Sequence, residues 1–167
     1  MKSDKNLFSS PFSKSGSKNF VEADNYFVAD LFAEEFIGGA ELTLEAIIKA
    51  CPGSVQKYKC SQVSLDLLQE LHKQNKTIIF GNWATLNPDC LQFVARNMKY
   101  EVVECDYKFC KYRSPEKHLA YEKVECDCHT KLYGQIAFAF LLGAEKIWWM
   151  SDKQQQRYEA HFRNLID

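Results

Sequence analysis

The feature that most narrows the fold is a regular alternation along the chain: short β-type runs, each followed by a longer stretch with apolar residues at helical spacing. Residues 25–32 read as a first strand, 55–60 as a weaker second, 76–80 as a third, 100–105 as a fourth and 146–150 as a fifth. In the third, Ile78, Ile79 and Phe80 are apolar on both sides of the pleat, as a strand covered on both faces requires. Between strands, Ala40, Leu44, Ile47, Ile48 and Cys51 share one helical face, and Pro52-Gly53 stops that helix. Ser64 can cap a helix that turns Leu67, Leu68 and Leu71 toward the core. Asn87-Pro88-Asp89 and Ser114-Pro115-Glu116 each set a cap, a proline and an acid where a helix begins. The first of these helices carries Leu91, Val94 and Met98 inward. An apolar helix follows over 133–142, and Ser151 with Gln154 forms a capping box for the last one. Strand alternating with helix predicts an α/β domain, a Rossmann-like parallel sheet with helices on both faces. Trp148-Trp149 in the fifth strand are expected in the interior, one ring in the core and the other beneath a covering helix.

With 167 residues, 46% of them apolar, the chain is long enough for one domain with a real core. Residues 1–19 are rich in Ser, Lys and Asn and lack an apolar segment, so 1–23 read as a disordered leader and 24–167 as the folded domain. A net charge of −1 leaves no basic excess for a nucleic-acid footprint. The longest apolar run, 136–143, is too short to span a bilayer. Seven cysteines, an odd number with no export signal before them, point to reduced thiols in a cytoplasmic protein.

In a sheet of this kind, ligands bind outside the carboxyl ends of the strands. That rule selects the Gly38-Gly39 turn, Gly81-Asn82-Trp83, the segment from Asp106 through Tyr107 and Lys108, and Ser151. Gly38-Gly39 opens a helix directly, letting backbone approach a ligand while the first helical amides favour an anion; a tight turn needed only for packing is the alternative. Asp106, Lys108 and Arg113 lie just past a buried strand among Tyr107, Phe109 and Tyr112. An aspartate there suits a general base toward an acceptor hydroxyl, and the cations suit phosphate or carboxylate; a solvated loop with aromatic anchors is the alternative.

Cys105, Cys110, Cys126, Cys128, His118 and His129 fall within a short span and raise the question of zinc. Cys126-x-Cys128 is tighter than the two-to-four-residue gap of structural zinc sites, and no second clean pair completes a set of four. Ordinary thiols are the favoured reading, with no bound metal, and Cys105 is expected in the core.

The run Glu34-Glu35-Phe36-Ile37-Gly38-Gly39-Ala40-Glu41, followed by Leu42-Thr43-Leu44-Glu45-Ala46-Ile47-Ile48, resembles the start of GT-B glycosyltransferases of the large retaining, family-four-like group, with their "GGAE" turn. The segment from Gly143 to Ser151 with the helix holding Gln156-Arg157-Tyr158 is similar to the last strand and helix of their N-terminal domain. The stretch from Glu104 to Ser114 looks like a signature of bacterial and viral members. The resemblance covers roughly residues 24–162. It implies an acceptor-side, N-terminal half of a GT-B fold, facing a C-terminal donor-binding domain or subunit across a cleft. It further implies transfer of a sugar from a nucleotide-sugar co-substrate to a carbohydrate or glycosylated acceptor, with no metal and no other cofactor. It places the Gly38-Gly39 turn near the donor diphosphate; joined to the residue reading above, Asp106 is the catalytic candidate, and Gly38, Gly39, Glu41, Asn82, Trp83, Tyr107, Lys108 and Arg113 are the substrate-binding ones. The family's cleft histidine after the fourth strand has no evident counterpart, with His118 and His129 the candidates and His118 the one carried forward. Without the donor half, this chain alone is expected to be inactive. The competing readings are a non-catalytic Rossmann-like binding or scaffold domain and a Cys/His metal-binding protein.

Overall fold

The structure is a computed structural model and describes residues 20–162 and 165. Five strands, β1 (Asn25–Ala29), β2 (Val55–Lys59), β3 (Ile78–Phe80), β4 (Tyr100–Glu104) and β5 (Lys146–Trp149), make one sheet in the order β2-β1-β3-β4-β5. Every pairing is parallel. Helices fill the connections: α1 (Gly39–Ala50), α2 (Leu65–Lys73), α3 (Pro88–Asn97), α4 (Pro115–Glu122) and α5 (Leu132–Leu142), with α6 (Asp152–His161) after β5. The fold is the α/β, Rossmann-like arrangement that the alternation predicts.

The helix starts follow from their caps. The side chains of Ser64, Asn87, Ser114 and Ser151 each accept a backbone N–H of the first turn they precede. Pleating then sorts the strand residues into two cores. Tyr26, Val28, Ile78, Phe80, Tyr100 and Val102 face α2, α3 and α5 and form the larger one. Phe27, Ala29 and Val103 face α1 and Leu44 and form the smaller. An aromatic stack anchors the larger core: Phe140 of α5 sits 5.3 Å from Phe80, 4.8 Å from Tyr100 and 4.5 Å from Trp83.

Two expectations change. The domain reaches back beyond Asp24: Phe20 stacks on Tyr26 at 6.4 Å, and the Tyr26 hydroxyl accepts the Ala23 N–H at 2.8 Å. Of the leader expected over residues 1–23, residues 1–19 lie outside the described residues. Trp149 packs toward Tyr158 of α6 at 5.0 Å, but among the described residues Trp148 belongs to neither core. It is 43% exposed, donates its indole N–H to Glu101 at 2.7 Å and lies under the Lys146 ammonium at 3.7 Å. The cause is α6: its buried Tyr158 joins the larger core, leaving α1 to cover the opposite face over β1. Among the described residues, no helix is long and apolar enough to cross a membrane.

Candidate functional site

Strand order reverses between β1 and β3, where a sheet of this type opens a crevice at its carboxyl edge. Here the crevice is stapled. Asp30, directly after β1, accepts hydrogen bonds from Ala84 N at 3.0 Å, Thr85 N at 2.9 Å and the Thr85 hydroxyl at 2.7 Å. The loop after β3 is thereby fixed, and its Asn82 and Trp83 turn toward the loop after β4.

That second loop is built around a buried ion pair. Glu104, the last residue of β4, is fully buried, and the side chain of Lys108 is 3% exposed. The Lys108 ammonium lies 3.4 Å from both Glu104 oxygens and 3.0 Å from Asp106 Oδ1, and stands 5.7 Å from the Trp83 ring centroid. The Tyr158 hydroxyl donates to Glu104 at 3.0 Å and accepts the Lys108 N–H at 2.9 Å. Burial pushes the Glu104 carboxyl above its ordinary value, against the pull of the Lys108 charge. Arg113 completes the group: its guanidinium is 2.5 Å from Asp106 Oδ2 and also donates to Asn82 Oδ1. Its backbone is left-handed, φ 56°, a conformation an arginine holds only where surrounding bonds impose it. Those bonds are a closed set of turns, Cys110 N to Tyr107 O and Arg113 N to Cys110 O, both 2.8 Å, with Phe109 buried beneath.

Beside this loop lies a cavity of about 320 Å³, lined by Trp83, Leu91, Lys108, Arg113, Tyr133 and Ile136 among others. It shares Pro88, Leu91 and Ile136 with an adjoining groove of about 470 Å³ between α3 and α5. The wall is mostly apolar, with two cations at its edge. Behind it, Trp83 Nε1 and Arg113 Nε are buried without hydrogen-bond partners, an uncommon and costly state for such donors.

The sequence-derived residues therefore separate into groups. Asn82, Trp83, Asp106, Lys108 and Arg113 come together. Tyr107 is an anchor, stacked on Tyr158 at 5.9 Å with the Arg157 guanidinium 5.0 Å from its ring. Gly38 and Gly39 open α1, on the other face of the sheet, and no side chain caps that helix. A Cβ at Gly39 would meet nothing within 4 Å, so the backbone there is open to approach. Glu41 of the same turn is close enough to act on the Cys105 thiol, which burial raises to about 11 and which also feels Lys108, Glu104 and Asp106. His118 does not line the cavity. It is buried in α4, with Nδ1 3.3 Å from the Val124 carbonyl and its ring edge-on to Tyr112.

Sequence reasoning missed Glu104, Tyr158 and Gln154. Gln154 is buried and ties the two strand ends together, accepting from Met150 N at 2.9 Å and donating to the Asp106 carbonyl at 3.1 Å. A glutamate on the same side of the pleat as Tyr100 and Val102, both expected in the interior, was the available signal for Glu104. All seven cysteines are free. Cys105 lies partly buried against the smaller core, and His129, next to Cys128 in the chain, stacks on His161 at 4.2 Å and is in neither group of converging ligand atoms. Cys110, Cys126 and Cys128 converge, with their sulfurs within 4.8 Å of one another. Burial, outweighing other effects, lifts Cys126 to about 12. Burial acts against Cys128 as well, but hydrogen bonds from the Tyr133 hydroxyl, the Lys111 N–H and the neighbouring thiols hold it below its ordinary value.

No known protein family, curated protein or solved structure matches the chain.

Proposed function

We propose that the chain forms the acceptor-side wall of a glycosyltransferase active site. It binds a carbohydrate or glycosylated acceptor and presents one hydroxyl to a nucleotide-sugar donor held by a second, donor-binding domain or subunit. One observation carries the reading: a largely apolar, aromatic-walled cavity at the carboxyl ends of β3 and β4, edged by Lys108 and Arg113 with Asp106 between them. Pockets that join apolar walls to a few placed polar groups suit ring-shaped polyols, whose C–H faces pack on aromatic rings while their hydroxyls meet charges. In the transfer, the acceptor oxygen bonds to the anomeric carbon as the bond from that carbon to the diphosphate breaks. The electron pair leaves with the diphosphate, and the acceptor proton passes to the Asp106 carboxylate, held in place by its two cations. The open backbone at Gly39, in the first turn of α1, suits the departing diphosphate.

The test pairs binding with turnover. Saturation-transfer NMR on the full chain with a panel of mono- and disaccharides should give signals that Arg113→Asn removes, asparagine being tolerant of the left-handed backbone. Supplied with a donor-binding domain, Asp106→Asn should lower transfer by about a hundredfold or more. Full turnover in that variant overturns the role of Asp106. Absence of saccharide binding overturns the acceptor site, and binding without any transfer leaves a non-catalytic binding module.

A further inference from the structure

The loop that carries Asp106, Lys108 and Arg113 is closed from behind by a set of side chains with a different chemistry. Cys110 lies inside that loop, and Cys126 and Cys128 come from the segment between α4 and α5. Their sulfurs all lie within 4.8 Å of one another. A ring nitrogen of His118 is likewise within 4.8 Å of the Cys128 sulfur. The sequence pattern is Cys110-x7-His118-x7-Cys126-x-Cys128, with no pair at the two-to-four-residue gap that announces a zinc site. Convergence is produced by the fold. Helix α4 carries the chain away from Cys110 with His118 on its buried side, and Lys123, at φ 60°, ends the helix and turns the chain back. Gly134 then lets α5 lie against the Cys128 backbone: a Cβ there would stand 2.9 Å from both the Cys128 carbonyl carbon and His129 Cα.

We infer that Cys110, Cys126, Cys128 and His118 bind a single zinc ion in a closed, structural site. Three thiolates and one imidazole are an established ligand set for tetrahedral zinc. With Zn–S bonds of about 2.3 Å, a tetrahedron puts its sulfurs roughly 3.8 Å apart, so the three sulfurs need only a small contraction, while His118, which neighbours Cys128 but is not grouped with all three sulfurs, has to swing inward to complete the set. Sulfurs this near one another serve one ion. An outer partner suits it as well. The Val124 carbonyl beside His118 Nδ1 fixes that nitrogen as the donor and leaves Nε2 its lone pair for a metal. Asp127 is also near Cys128, but it is exposed and paired with Lys131 at 2.8 Å, so His118 is the fourth ligand. The ion displaces the thiol protons and leaves all four protein ligands in place, with no open position. Its work is to hold a fold: it pins Cys110, whose carbonyl sets the left-handed Arg113, and Tyr133, which lines the cavity. This inference stands apart from the transfer reading, and its test involves no substrate.

The experiment is elemental analysis of the full chain purified under reducing, chelator-free conditions. One equivalent of zinc is expected, and Cys128→Ser or Cys126→Ser should retain less than a tenth of it. Cys51→Ser and Cys105→Ser, outside the cluster, should keep the full equivalent, and His118→Cys should keep metal while His118→Ala loses most of it. Should the cysteine variants fail to fold, cobalt exchanged into the unaltered protein gives the deciding spectrum. Ligand-field bands of tetrahedral cobalt with a thiolate charge-transfer band support the site. Reduced protein that carries no metal and takes up no cobalt overturns it, as does metal retained in Cys126→Ser and Cys128→Ser at the level of the unaltered protein.

Discussion

Replacing Lys108 by methionine keeps most of the side-chain stem and removes only the charge that faces Glu104. The carboxylate is fully buried, and its remaining partner is the Tyr158 hydroxyl, while Asp106 retains Arg113 at 2.5 Å. Glu104 then either stays ionised without a cation, at a cost of about 3–5 kcal/mol for a broken buried pair, or takes up a proton. Protonation sets the ceiling. From the ordinary glutamate value of 4.5, keeping the acid neutral at pH 7 costs about 3.4 kcal/mol, at 1.36 kcal/mol per pH unit. At pH 5 the same step costs only about 0.8 kcal/mol. The sign follows from the buried acid's raised value: the folded state binds the proton more readily than the unfolded chain, so stability is lost as pH climbs from 4.5 through the folded value. Urea denaturation of Lys108→Met should thus show a loss of about 3 kcal/mol at pH 7, roughly 6–12 °C in Tm for a domain of this size, and below about 1 kcal/mol at pH 5. Adding Glu104→Gln should return the protein to within about 1 kcal/mol of its starting stability at both pH values. A penalty that is equal at the two pH values, or additive in the double variant, refutes the buried-pair reasoning.

Phe140→Ala should cost about 3–5 kcal/mol in chemical denaturation, because it removes the ring shared by Phe80, Tyr100 and Trp83; a loss below 1 kcal/mol would mean the stack contributes little. Gly39→Val should leave Tm within a few degrees, since its side chain enters open space at the first turn of α1, yet it should block ligand approach to those amides. Transfer at an unchanged rate in that variant, with a donor domain supplied, would remove the turn from the site.

Local chemistry was legible. Ser64, Asn87, Ser114 and Ser151 announce their helices because a cap bonds an amide two or three residues away, and nothing distant enters that energy. The apolar run Ile78–Phe80 identifies a strand covered on both faces because burial of both pleat faces is written in consecutive residues. Together these specify α/β alternation and the edge of the sheet where a site belongs, and they already place Asp106, Lys108 and Arg113 on one loop. The strand order, with its reversal at β1 and β3, came from tertiary pairing, as did the choice of α6 to join the larger core and leave Trp148 in solvent. Glu104 meets its partners through Tyr158, 54 positions along the chain, and Arg113 reaches Asn82 across 31. The convergence of Cys110, His118, Cys126 and Cys128 depends on a left-handed turn at Lys123 and the missing Cβ of Gly134. Spacing rules register neighbours, whereas these contacts exist only once the sheet has brought distant segments to one edge.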